Sequence, residues 1–515
     1  MGNSQSKLLK ASFIVTAISL LGKFIGFLRD AVIAAYYGAN WFTDAFFFAQ
    51  SMPGIIFPAV CNSLSTAFLS IYVSKNVESR DAADKYGSKA LSFSAALAIT
   101  LSLIAILLTP IIVPLFAPGF SEAQSELAQH LTRITMAAFV LIMIQYMLGA
   151  ILSAKKIFYG AQIAALFYNV TVILITVILG KSQNMYMLTY TVVIGHIMQV
   201  LSLCFFARKH FHYKPTTNIL DKETKALIQL TLPIILGNSI VQINNIVDKV
   251  LSSLLGEGAM SALSYSNTLN RFVTGIVITT LSTVIYPIMA EQFSKNNEKE
   301  VSATIRNSIS ICLIILLPVS IITTLCAEDI VKIVYQRGSF DVAATQLTSY
   351  ALSFYGLMYV FSAVQEIVTR AFYSMKDTKT PLKTAAAAIL SNAIMSYIFS
   401  RVLGMGLGGI ALGTTLSTLF AAVLLIIVLR KRIKGLQLGK LAKTLLKLVV
   451  SAAGMIVTIA TLSQALNNSN TIVRFLIITI AAFAIHIIIL FALKCEEMYE
   501  MKKILTRVLS RNSSK

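Results

Sequence analysis

Long apolar runs separated by short polar gaps repeat along the whole chain, at about 12–36, 44–73, 90–114, 129–153, 160–180, 187–207, 227–250, 260–287, 307–326, 343–369, 384–400, 406–429, 448–464 and 472–493. A helix of about 20 residues crosses a hydrocarbon core about 30 Å thick, and most of these runs reach or approach that length. The pattern predicts an all-α polytopic membrane protein with fourteen transmembrane helices. The longest gaps, near 208–226 and 430–447, hold fewer than 20 residues, which leaves no room for a sizeable soluble catalytic domain.

Charge orients these helices. With a cytoplasmic N-terminus, the inside gaps and the C-terminal tail carry 33 of the 43 Lys and Arg residues. Lys181, Lys332, Arg337 and Arg401 fall outside, and six lie in or at the edges of spans. The bias predicts that both termini are cytoplasmic. It also accounts for the net charge of +21 as a basic surface facing anionic headgroups, so nucleic acid is not an expected partner. The first run is too long for a signal peptide and reads as a retained span. Cys61, Cys204, Cys312, Cys326 and Cys495 mostly lie in apolar runs and read as small packing residues, with no disulfide framework or metal spacing. His130, His196, His210 and His212 are scattered. No Walker motif is present, so no nucleotide cofactor is expected.

The chain also carries an internal echo. Arg29-Asp30 and Gly38 in the first span correspond to Val247-Asp248 and Gly256 in the seventh, 218 residues on. "IVPLFAPGF" at 112–120 answers "IVKIVYQRGSF" at 330–340, with Gly119 and Gly338 separated by 219. Basic, aromatic junctions follow at 151–162 and 370–381. These landmarks predict two parallel six-helix lobes, 1–215 and 216–435, and a third part, 436–515, with two additional C-terminal helices and a basic cytoplasmic tail. A cavity between the lobes is the expected place for cargo.

Charges inside apolar runs mark the candidate site. Each costs about 2.5–3.5 kcal/mol near a bilayer centre on insertion scales, so Lys23, Arg29 and Asp30 in the first span are expected to face a wet cavity. At about 100° per residue, Lys23 and Asp30 fall within about 20° of one face, while Arg29 projects roughly 100° from Asp30. Lys23 and Arg29 suit a phosphorylated headgroup, with Asp30 orienting Arg29; a purely structural ion-pair network is the competing reading. Gly22 and Gly26 form a GxxxG that serves either close helix packing or room for a bulky ligand. Asp248 and Lys249, beside Asn244 and Asn245, are expected to make separate contacts, with Asp248 a candidate cation or proton site. Arg271 is the remaining basic residue deep in the second bundle. Asp44 starts the second span, where an acid suits the helix dipole. Arg133 and Arg474 can snorkel from span ends. Pro53, Pro58, Pro110, Pro114, Pro233, Pro287 and Pro318 interrupt or bound spans.

Taken together, "GKFIGFLRDAVIAAYYGANWFTDAFF" at 22–47, "LPIILGNSIVQINNIVDKVLSSLLG" at 232–256, "YQRGSFD" at 335–341 and "RAFYSMKDTKTP" at 370–381 closely resemble the MurJ/MviN lipid II flippases of the multidrug/oligosaccharidyl-lipid/polysaccharide exporter superfamily. The resemblance implies fourteen helices in two lobes and alternating-access transfer of undecaprenyl-pyrophosphate-linked peptidoglycan precursor from the inner to the outer leaflet of the bacterial cytoplasmic membrane. It places Lys23 and Arg29 among the family's cavity-facing basic residues and Asp44 at its acid of span 2. It carries a family cation site over to Asp248, Asn392 and Thr415, with Ser396 where a second acid stands. Phe57 and Pro58 replace a family arginine region, and the family's span-8 arginine aligns with Thr268, one turn before Arg271. Lys23, Arg29 and Arg271 are thus the candidate headgroup-binding residues, with Asp30 and Asp44 as supporting or gating acids. Coupling to membrane potential, Na+ or H+ is expected in place of a cofactor. Membrane lipids and cell-wall synthesis proteins are the expected partners. The alternatives are a flippase for another undecaprenyl-linked polysaccharide or teichoic-type precursor, a multidrug exporter, and a non-transporting membrane scaffold.

Overall fold

The computed structural model describes residues 3–216, 221–295, 297–433 and 438–498. Two compact units divide the chain, one of residues 1–268 and 337–344 and one of residues 269–336 and 345–515. The first holds α1 (Asn3–Tyr37), α2 (Trp41–Ile56), α3 (Pro58–Glu78), α4 (Arg80–Leu107), α5 (Thr109–Phe116), α6 (Glu122–Ala137), α7 (Phe139–Ala154), α8 (Phe158–Leu179), α9 (Met185–Ala207), α10 (Lys222–Ser253) and the start of α11 (Ala259–Ser294). The second holds the rest of α11, α12 (Glu298–Leu325), α13 (Ala327–Tyr335), most of α14 (Val342–Gly356), α15 (Met358–Ser374), α16 (Lys379–Tyr397), α17 (Gly406–Arg432), α18 (Leu438–Ala465) and α19 (Thr471–Ala492).

The protein is an all-α multi-pass membrane protein. Among the described residues, ten helical segments are long and apolar enough to cross a bilayer, and α14 with α15, bent by 42°, makes an eleventh. Helices α1, α10 and α11 stand outside that set and carry Lys23, Arg29, Asp30, Asp248, Lys249 and Arg271 within their length. Several apolar runs are broken helices. The run at 44–73 changes from α2 to α3 at Phe57, because Pro58 has no N–H and fits the first turn of a new helix. By contrast, α10, α11 and α12 continue through Pro233, Pro287 and Pro318.

At the breaks, hydroxyls from neighbouring helices satisfy backbone carbonyls that would otherwise sit in an apolar layer. Pro53 deprives Ala49 of its helical donor, and Thr135 Oγ1 donates to that carbonyl at 2.7 Å. Where α6 gives way to α7, Ser102 Oγ donates to Met136 O at 2.9 Å. Where α14 bends into α15, Ser320 Oγ donates to Gly356 O at 2.7 Å and Thr415 Oγ1 to Phe354 O at 2.9 Å. Ser102 and Ser320 stand 218 positions apart, and the left-handed residues Lys156 and Lys376 stand 220 apart, close to the spacing of the sequence landmarks. Thr135→Val keeps the shape but strands the Ala49 carbonyl, so it is expected to cost about 1–3 kcal/mol and lower the thermal midpoint of the solubilised protein. Thr135→Ser should retain the wild-type midpoint.

In the first unit α1 packs on α8, α8 on α9, α2 on α6, and α3 against α4, α7 and α10. Gly22 and Gly26 face α8: a Cβ on either would lie 3.7 Å from Leu166 or Asn169, ordinary contact distance, so both positions have room for an alanine. The stretch after α9 lies along α4. His212 N donates to Asp84 Oδ2 at 3.3 Å, Lys214 N donates to Ser88 Oγ at 2.8 Å, and Tyr213 Oη and Ser92 Oγ lie 2.7 Å apart. Asp84, Ser88 and Ser92 recur every four residues and therefore share one face of α4.

In the second unit α12 packs against α15 and α18, α16 on α17, and α18 on α19. Buried His486 of α19 pins this arrangement: its Nε2 lies 3.0 Å from Ile314 O and its Nδ1 2.6 Å from Ser451 Oγ. A carbonyl only accepts, so Nε2 carries the proton and Nδ1 accepts from the serine. Arg474, read from the sequence as a snorkelling end residue, instead pairs with Asp329 of α13. In the "MKDTKTP" stretch, Asp377 accepts from the Lys379 and Thr380 amides and the Thr380 hydroxyl at 3.0, 3.0 and 2.8 Å. The Thr380 bonds hold its carboxyl below the ordinary aspartate range, so this junction is a helix start built for rigidity.

Candidate functional site

Arg29 and Asp30 form the centre of the site on α1. Although adjacent positions diverge on a helix, the arginine folds back far enough for Nε and Nη2 to donate to Asp30 Oδ1 at 2.9 and 2.7 Å. Nη1 donates to Asn169 Oδ1 of α8 at 3.1 Å. These bonds use three of the five guanidinium donors. The guanidinium also lies 5.5 Å from the Tyr168 ring centroid, a cation–π distance. The second Asp30 oxygen accepts from Thr268 Oγ1 at 2.9 Å. Thr268 of α11 therefore stands next to the α1 acid.

Behind this group lies a cavity of about 260 Å³ lined by Gln50, Thr135, Tyr168 and His196, among others. The His196 ring is 4.7 Å from that of Tyr168. Gln145 Nε2 donates to His196 Nδ1 at 3.1 Å and to the His196 carbonyl at 3.2 Å, which fixes the imidazole. Polar residues buried in apolar helices thus converge from α1, α7, α8 and α9. The sequence shows Asn169 and His196 as isolated polar residues within apolar runs; their partners lie far off in the chain, Arg29 140 positions from Asn169 and Gln145 51 positions from His196.

Asp44 does more than sit in the first turn of its own helix, where an acid suits the dipole. The start of α2 is capped by Asn40, which exchanges bonds with Thr43, so the Asp44 side chain is left to bond elsewhere. The Asp44 carboxylate instead accepts from Gly258 N and Ser261 N, each at 2.7 Å, at the N-terminus of α11. Helix starts leave such amides without partners and carry partial positive charge, so the carboxylate answers both needs. Around it runs a backbone seam. Tyr265 Oη donates to Gly38 O at 3.1 Å, Ser339 N donates to Ala35 O at 2.8 Å, and Ser339 Oγ donates to Tyr36 O at 2.9 Å. Gly38 and Gly338 have φ of +70° and +59°, and a Cβ on either would collide with the carbonyl of Ser339 or Ala35. Only glycine meets both conditions.

The remaining sequence candidates lie on several elements of the two units. Lys23 is half-buried on α1, and Arg271 is exposed on α11 in the second unit. Asp248 is buried on α10, and Lys249 Nζ lies 3.3 Å from Ser264 Oγ. Asn392 Nδ2 donates to Thr414 Oγ1 at 3.0 Å, while neighbouring Thr415 donates to Phe354 O. Ser396 Oγ approaches Ile410 O at 3.4 Å. Among the described residues no group of three or more His, Cys, Asp and Glu side chains could hold a metal ion.

The solved inward closed conformation of the lipid II flippase MurJ superposes with a TM-score of 0.77 at 23% identity, over 92% of this chain and 98% of that one. An inward-facing multidrug resistance transporter of the MATE family gives 0.67 at 16% identity, over 82% of this chain and 98% of that one. These two likenesses establish the fold. The probable lipid II flippase MurJ of Rickettsia prowazekii (strain Madrid E) is 25% identical over 80% of this chain and 81% of its own length. That of Bdellovibrio bacteriovorus (strain ATCC 15356 / DSM 50701 / NCIMB 9529 / HD100) is 23% identical over 97% of both. The profile of the lipid II flippase MurJ family matches residues 33–482, most of the chain, and the protein belongs to that family.

Proposed function

We propose that this protein carries the undecaprenyl-pyrophosphate-linked peptidoglycan precursor, lipid II, from the inner to the outer leaflet of the bacterial cytoplasmic membrane by alternating access. The observation that supports this reading best, beside family membership, is Arg29, held by Asp30 and Asn169 between α1 and α8. It is a transporter and performs no catalysis. Fourteen spans form two parallel six-helix lobes, 1–215 and 216–435, and the part 436–515 adds two helices and a basic tail, with both termini cytoplasmic. A diphosphate is too costly to bury in hydrocarbon, so donors from Lys23, Arg29 and Arg271 replace its hydration while the lipid tail stays in the bilayer. Asp30 orients Arg29, and Asp44 holds the seam at the start of α11. Asp248, Asn392 and Thr415 are the proposed cation contacts. Membrane potential contributes about 2.3 kcal/mol per elementary charge per 100 mV.

Reconstituted vesicles test the reading. Lipid II should move between leaflets faster than undecaprenyl-linked polysaccharide or teichoic-type precursors, and an imposed Na+, H+ or potential gradient should change the rate. Transfer of another undecaprenyl-linked glycan in preference to lipid II would replace the substrate; no transfer of any of them would support a scaffold. Its basic residues argue against export of apolar cations, the chemistry of a multidrug exporter.

A further inference from the structure

A second cavity, of about 380 Å³, lies between α4, α7, α9 and the stretch after α9. Leu91, Ala95, Ile144 and Leu148 make its interior apolar, whereas Arg208 and Tyr213 bring polar groups from the connecting stretch. Its size falls in the range of small-molecule pockets, about 300–1,000 Å³. Arg208 directly follows Met185–Ala207, a segment able to cross the membrane, so its guanidinium stands where headgroups begin.

The charges nearby are unevenly paired. Lys89 reaches Asp221 and Glu223, Lys214 reaches Asp81, and Arg80 lies 4.0 Å from Asp84. Exposed Arg208 has no carboxylate partner among the described residues and rests 4.0 Å from the centroid of the Phe205 ring. An apolar chamber with an uncompensated cation at headgroup depth is complementary to a molecule with an apolar chain and one anionic group. We infer that this cavity binds an acyl chain of an anionic glycerophospholipid from the leaflet facing the basic loops, with its phosphate on Arg208. The Tyr213 and Ser92 hydroxyls, 2.7 Å apart, supply further polar contact at the same end. This site is separate from the Arg29 cluster and does not depend on what the protein transports.

Native mass spectrometry of the delipidated, detergent-solubilised full chain tests it, by titration with dioleoylphosphatidylglycerol and with dioleoylphosphatidylcholine. The first phosphatidylglycerol should bind about fivefold more tightly than the first phosphatidylcholine, the effect of one basic residue meeting an anionic lipid. Arg208→Gln should abolish that preference, and Ala95→Phe, which fills the chamber, should weaken the first adduct of both lipids. Lys431→Gln, at an exposed basic position at the end of α17, should leave the preference intact. Equal affinity for the two lipids, or a preference that survives both Arg208→Gln and Ala95→Phe, overturns the assignment. Loss of the preference in Lys431→Gln also overturns it, since that would report general surface charge.

Discussion

Replacing Arg29 by glutamine is expected to abolish transport and to cost much of the folded protein as well. Asp30 is 8% exposed, and its carboxylate has only Thr268 to accept from once the guanidinium is gone. Removing one partner of a buried ion pair costs about 3–5 kcal/mol, because the other charge is left in a low-dielectric setting. Adding Asp30→Asn removes that charge, so Arg29→Gln/Asp30→Asn should recover folded yield, measured by detergent-resistant monodispersity and thermal midpoint. Transport of lipid II in vesicles should remain absent in the double variant, because no guanidinium faces the headgroup. Lys23→Gln, which keeps a polar group at this half-buried position, should also slow transfer. Full transport by the double variant would reduce Arg29 to a structural residue and remove it from the proposed site.

The second large effect is expected at Asp44. An asparagine can present one carbonyl oxygen to α11 but sets its NH2 against the other amide, so it loses at least one charge-assisted bond and weakens the second. Hydrogen bonds to charged groups contribute about 1.5–3 kcal/mol each, and about 3 kcal/mol in total corresponds to roughly a hundredfold shift in an opening equilibrium. Hydrogen–deuterium exchange in vesicles should accordingly speed up by about a hundredfold at the Gly258 and Ser261 amides, with a parallel loss of transport. Unchanged exchange at those amides would show that the carboxylate is not holding the helix start. Ser261→Pro offers the reciprocal test, since it deletes one donor within the first turn of α11, where proline is sterically tolerated.

Helix positions were readable from the apolar runs because burial in a bilayer imposes length and composition on every segment that crosses it. The charged trio of α1 was readable for the same reason: Lys23, Arg29 and Asp30 violate that composition. The join at Asp44 was not, since its partners are amide groups, which every residue but proline carries, about 214 positions away. The role of Thr415 was hidden likewise, because nothing in its neighbourhood announces that Phe354 O, at a distant bend, lacks a donor. His486 is a lone imidazole in the last apolar run, and nothing in its spacing marks a residue that clamps three helices. Cys204 departs from its expected packing role in a simpler way. It is exposed on α9, while the other four cysteines are buried.

The seam around Gly38 and Gly338 has a consequence for how such a protein tolerates drift. Its principal contacts run through carbonyls and amides, which substitution leaves in place, so most changes at Ala35 or Tyr36 preserve the Ser339 bonds. Vulnerability is concentrated instead in two residues with no side chain at all, where even a methyl group meets a carbonyl oxygen. Sequence variation can therefore accumulate along both sides of the join while its geometry is inherited unchanged.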